Sequence, residues 1–172
     1  MLKRKLLFLI PLFILSISIF IFIPIKEALV FKYENTDEVI AYIPFSNEKS
    51  FQIKYTHSIH LSDVVESYKM TENNEMMQYE LMFEDFAIGM PSEGGEGEKF
   101  IVSDGKYYLK NMRRTFPSIF LRTGKVRANH TIIYENKEYP LAQSIKPGTL
   151  VHIKGEKLTI LQLLKGVNIL EH

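Results

Sequence analysis

Cysteine is absent from the 172-residue chain. That removes disulfides, thiolate metal sites, thiol catalysis and a lipid-modified N-terminal cysteine in one step. A domain of this chain outside the cytoplasm must therefore be stabilised by its core alone. Charge of one sign is also scarce. The formal net charge is +1, and leaving out Lys3, Arg4, Lys5, Lys26 and Glu27 gives 17 basic against 19 acidic side chains in residues 31–172, or −2. A nucleic-acid binder usually carries a basic stripe, so nucleic acid is excluded as a partner class. Internal repeats are missing, and no stretch beyond the N-terminus keeps a 3.6-residue apolar period. No cofactor motif is present.

What is abundant comes first in the chain. After "MLKRK", the segment Leu6–Ile25 holds twenty residues without a charge. As a helix it would span about 30 Å, the thickness of a bilayer's hydrocarbon core. The basic cluster ahead of it should stay cytoplasmic and place the remainder outside. Ser16 and Ser18 form a small-x-small pattern, but apolar sequence continues past them, beyond the usual length of a cleavable leader. The expectation is an uncleaved signal anchor over residues 1–30, a single transmembrane helix, and one extracytoplasmic domain over 31–172, long enough for one core.

From residue 31 onward, alternation and β-branched or aromatic content mark strands at 38–44, 50–57, 64–71, 76–86, 98–103, 106–112, 118–123, 130–135, 137–143, 149–154 and 157–164. Asp104-Gly105 is a type I′ hairpin signal, and "ENKE", "KPGT" and "KGEK" have the chemistry of tight turns. About ten short strands at this spacing imply an all-β domain, a β-sandwich or barrel.

Candidate chemistry concentrates in "YTHSIHLSDVVESYKM", residues 55–70. Strand alternation puts Phe51, Ile53, Tyr55 and His57 on one face, and Val64, Glu66, Tyr68 and Met70 on one face of the next strand. A hairpin around "SIHLSD" would bring His57 and Glu66 to the same inward rim. A lone buried carboxylate is costly, so a His57–Glu66 hydrogen bond is the economical arrangement. A metal site would need His57, His60 and Glu66, or Asp63, to converge on the turn. A hydrolase would use His57 and Glu66, with Ser58 or Ser62 as a weaker nucleophile. The bland alternative is a structural or ligand-orienting polar pair.

Other features carry less. Arg113 and Arg114, with Arg122 and Arg127 downstream, could clamp an anion, although solvated charge is the default for such residues. The acidic, glycine-rich "PSEGGEGE" at 91–98 lacks the spaced ligands of a calcium loop. It also lacks the Gly-Lys-Ser/Thr of a phosphate loop, and reads as a surface loop.

The strand ending in His57-Ser58, Glu66 on the following strand, and the bend Gly89-Met90-Pro91 together resemble the bacterial family known as domain of unknown function 1850. His60 is not part of that pattern. The resemblance implies an exported protein that accompanies the membrane subunits or solute-binding protein of a tripartite ATP-independent periplasmic (TRAP) transporter of the TAXI type. It makes His57, Ser58, Glu66, Gly89 and Pro91 pattern positions and assigns no catalytic role. Two functions stay open: a membrane-anchored binding or accessory module, and a metal-dependent or acid–base hydrolase centred on His57 and Glu66.

Overall fold

The computed structural model describes residues 20–85, 90–125 and 128–171. Within them, twelve strands form two sheets. The first contains β1 (Pro24–Tyr33), β2 (Val39–Pro44), β8 (Ile119–Arg122), β11 (Leu150–Thr159) and β12 (Val167–Asn168), in the order β12-β2-β1-β11-β8. The second contains β3 (Ser50–Thr56), β4 (Asp63–Met70), β5 (Met76–Phe83), β6 (Lys99–Ser103), β7 (Lys106–Phe116), β9 (Thr131–Tyr134) and β10 (Lys137–Pro140). Its order is β10-β9-β3-β4-β5-β7-β6.

Leu29, Phe31 and Ile153 of the first sheet share one buried cluster with Phe51, Ile53 and Ile132 of the second. Alternation explains the layer: each residue is two positions from the next inward one on its strand. The all-β sandwich expected from the sequence is present. Its turns follow local chemistry as well. Asp104 and Gly105 both take positive φ, 52° and 75°, as a type I′ hairpin between β6 and β7 requires.

The expected strand over 137–143 stops at Pro140, where a 3-10 turn over Leu141–Gln143 follows, and three further segments differ from the sequence reading. The first is β1, which begins at Pro24 inside the stretch assigned to the anchor, and whose Ala28, Leu29, Val30 and Phe31 are fully buried. β1 thus brings residues 24–30, ahead of the expected domain start at 31, into the first sheet. The anchor reading rests mostly on residues 1–19, which lie outside the described residues; among the described ones no helix is long and apolar enough to cross a membrane.

The second is "KGEK", which is no turn. Gly155 sits within β11 opposite Leu29, and a Cβ there would collide with the Met70 methyl. Glycine is present because another chain segment lies against the strand. The third is 157–164, which is not one strand. β11 ends at Thr159, and α1 (Ile160–Lys165) follows. Thr159 Oγ1 accepts from Gln162 N at 3.2 Å while Gln162 Oε1 accepts from Thr159 N at 2.9 Å. This capping box starts a helix despite the β-branched content. The cluster around α1 also explains β1's unbroken apolar run: Ala28 and Val30, turned away from the main core, are buried with Leu158 and Tyr42, and Leu163 of α1 packs against them.

Candidate functional site

The β3–β4 hairpin forms as expected, with Thr56 opposite Asp63. Its register, however, separates the two residues that were expected to pair. Glu66 faces Ile53, well inside the sheet, whereas His57 lies past the end of β3, where its N–H donates to Ser62 O at 2.8 Å. His57 Nδ1 accepts from Ile59 N at 3.4 Å, and its ring centroid is 5.8 Å from that of His60. Ser58 and His60 are exposed on the same turn. The two histidines approach each other, but Glu66 does not join them. Among the described residues, no group of three His, Asp or Glu side chains could hold a metal ion.

Glu66 is instead held by tyrosines. Tyr68 Oη donates to Glu66 Oε2 at 2.7 Å, and Tyr55 Oη reaches Glu66 Oε1 at 3.5 Å. Burial, then the nearby Glu66 charge, pushes the Tyr55 phenol up to about 12 and moves Tyr68 further in the same direction. Both phenols are fixed as donors, which suits a carboxylate set between apolar clusters. On one side Tyr68 belongs to the main core; on the other Val64 belongs to a second cluster with Leu81, Phe83 and Leu109. Met90, from the bend before the glycine-rich loop, packs on that second cluster, as Tyr55 does. Gly89 lies outside the described residues, as does Arg127, and Pro91 opens the loop that follows.

Across the β3 strand, Tyr55 meets His130, with ring centroids 5.7 Å apart. Gly124 N donates to His130 Nδ1 at 3.1 Å, so that nitrogen carries no proton. Burial lowers the affinity of His130 for a second proton.

Arg113 and Arg114 both line a wide surface groove. The groove, of about 1070 Å³, is lined by Lys69, Met77, Tyr79, Glu96, Glu98 and Arg113, among others. Strand geometry opens it. β6 pairs with β7 only as far as Lys99 opposite Lys110. Beyond that point β7 bulges: Gln78 and Glu80 of β5 pair with Arg114 and Lys110, so Tyr79 alone stands against Asn111, Met112 and Arg113. Asn111 accommodates the kink with a left-handed φ of 60°. The β4–β5 ladder shifts at the same place, between Ser67 and Tyr68.

The groove's charges divide into paired and unpaired. Arg114 grips Glu98 through Nε and Nη2, each at 3.1 Å, and Glu98 Oε2 also accepts from Gly95 N at 2.9 Å. Lys110 pairs with Glu80 at 3.0 Å. Among the described residues, no side chain or backbone group pairs with the Lys69 ammonium or the Arg113 guanidinium. Arg113 and Arg114 thus have opposite fates, which the sequence alone could not separate. Tyr79 and Lys69 were missed because a bulge has no signature in the alternation of β5.

These observations define a class: a two-sheet β-sandwich domain with an open, charge-lined groove beside an interrupted strand pair. The chain belongs to the family described as Domain of unknown function (DUF1850), which matches residues 51–141. That segment runs from β3 through β10 and includes Glu66 and nearly all of the groove. No curated protein and no solved structure matches the chain.

Proposed function

We propose that the chain is a membrane-tethered, extracytoplasmic binding module that serves as an accessory to a TRAP-type solute uptake system. The observation that carries the binding part is the groove beside β7, where two cationic side chains stand without a partner among the described residues, at a site opened by a strand bulge. Tethering is supported by the uncharged run that begins at Leu6 behind Lys3, Arg4 and Lys5, of which residues 6–23 precede β1. β1 starts at Pro24, so no linker separates that run from the sheet. Such a domain would be held at the membrane surface, beside any permease. The uptake association rests on the family resemblance. Catalysis by His57 and Glu66 finds no support, since the register keeps them apart.

Fractionation of bacteria expressing the full chain tests the tether and its direction. The protein should resist alkaline extraction of the membrane, and its C-terminal domain should be digested by protease added to spheroplasts. Cross-linking should then recover transporter membrane subunits or a solute-binding protein. A soluble protein, a protease-protected domain, or cross-links to neither component would overturn the proposal.

A further inference from the structure

We infer that the groove beside β7 is the binding site for a small organic monoanion, one with a carboxylate and an apolar or aromatic body. This deepens the binding-module reading and rests on it.

Charge selects the anion. With Arg114–Glu98 and Lys110–Glu80 internally neutralised, Lys69 and Arg113 remain against Glu96 alone. The groove itself supplies a precedent for carboxylate recognition, since Glu98 already sits in the fork of Arg114. That pairing leaves Arg113, one residue earlier on the strand, as the guanidinium available to an incoming carboxylate.

Geometry places the rest of the ligand. Ser50, Lys69 and Met77 lie side by side across β3, β4 and β5, and Arg113 projects from β7 beyond β5. Neighbouring strands are about 4.8 Å apart and Arg113 stands about two residues along from the Lys69–Met77 level, so Lys69 and Arg113 are rooted about 12 Å from each other. Between them Met77 and Tyr79, both part-exposed, form the floor. A cation at each side with a thioether and a phenol ring between them suits a flat apolar body ending in one carboxylate. At about 1070 Å³ the open groove lies at the upper end of small-molecule sites. Arginines and a bulge can also simply protect a strand edge from pairing, and that reading expects no ligand at all.

The probe is 4-phenylbutyrate, with its uncharged amide as control, added up to about 10 mM to the full chain in detergent micelles. The signal is the Met77 methyl resonance. The acid should shift it saturably, the amide should not, and added salt should weaken the effect. Arg113→Gln and Lys69→Gln should each weaken binding by about tenfold, the loss of one charge-assisted contact. Both side chains are exposed, so the variants should melt like the parent. Arg122→Gln, elsewhere on the surface, should bind normally. Equal binding of acid and amide would overturn the anion class and leave a binding module standing. No response to either probe would overturn the site and the module together. Equal weakening by Arg122→Gln would reduce the effect to non-specific ion attraction and overturn the site.

Discussion

Tyr68 donates its phenolic proton to Glu66 at 2.7 Å from only two residues away on the same face of β4. The pair is a consequence of strand alternation: residues i and i+2 point the same way, so a carboxylate and a phenol at 66 and 68 meet without any tertiary coincidence. Tyr55, on β3, closes over the other carboxylate oxygen.

Removing Tyr68's hydroxyl should therefore cost more than removing Tyr55's. Hydrogen bonds to a charged group contribute about 1.5–3 kcal/mol. Tyr68→Phe should lower stability within that range, while Tyr55→Phe, starting from a 3.5 Å contact, should lose well under half as much. Urea unfolding of the two variants decides this. Equal losses would mean that the two phenols share Glu66 evenly.

Gly155 makes a second case. A methyl there would meet the end of the Met70 side chain, which is flexible, with Asn74 O next nearest at 3.3 Å. Gly155→Ala should cost about 1–3 kcal/mol, as overpacking does. Combining it with Met70→Ala should recover part of that loss, because the obstructing group is gone. Strict additivity in the double-mutant cycle would show that strand geometry, and not Met70, demands the glycine.

These two residues also mark what the sequence could and could not reveal. Alternation identified the inward faces of β3 and β4, and with them Glu66. It left open the level at which the hairpin closes. The Thr56–Asp63 pairing puts Ser58–Ser62 and His57 in the connection, so Glu66 meets tyrosines that were visible all along on its own face. Gly155 looked like a turn because glycine between lysines and a glutamate usually is one; only a distant methionine gives it another reason. β1 was hidden for a related cause. A strand buried on both faces has a continuous apolar run, and next to a membrane-length segment it merges with it. The groove was the least legible feature, since it arises from mismatched ladders and not from a motif.

The loop over the groove should depend on one carboxylate. Glu98 binds Arg114 and the backbone of Gly95, and its side chain is only 10% exposed. Glu98→Ala removes both restraints. At roughly 1.5 kcal/mol for a charge-assisted bond, local opening should become about tenfold more frequent. A glutamate-specific protease should then cut at Glu93 or Glu96 correspondingly faster, with the global melting temperature little changed. An unaltered cleavage rate would mean that the loop is held by other contacts.

Acid should weaken the fold through two histidines. Burial lowers the pKa of His130, and burial, then the charges of Lys154 and Lys32, lowers that of His152. Each folded-state pKa lies below the unfolded value, so between the two the unfolded chain binds more protons and stability rises with pH. The neutral-histidine contribution is therefore complete above about 6.5 and declines as pH falls through that value and toward the folded pKa. Protonating His130 at Nδ1 would also break its bond from Gly124 N. Asn in its place can accept the same bond through Oδ1 and does not titrate. Thermal melts at pH 7.5 and 5.0 should show His130→Asn losing less stability on acidification than the parent, by a few degrees. His152→Gln should act in the same direction, since it removes an imidazole whose Nε2 is buried without a partner among the described residues. Identical acid sensitivity in parent and both variants would move the effect to the carboxylates and away from the half-buried imidazoles.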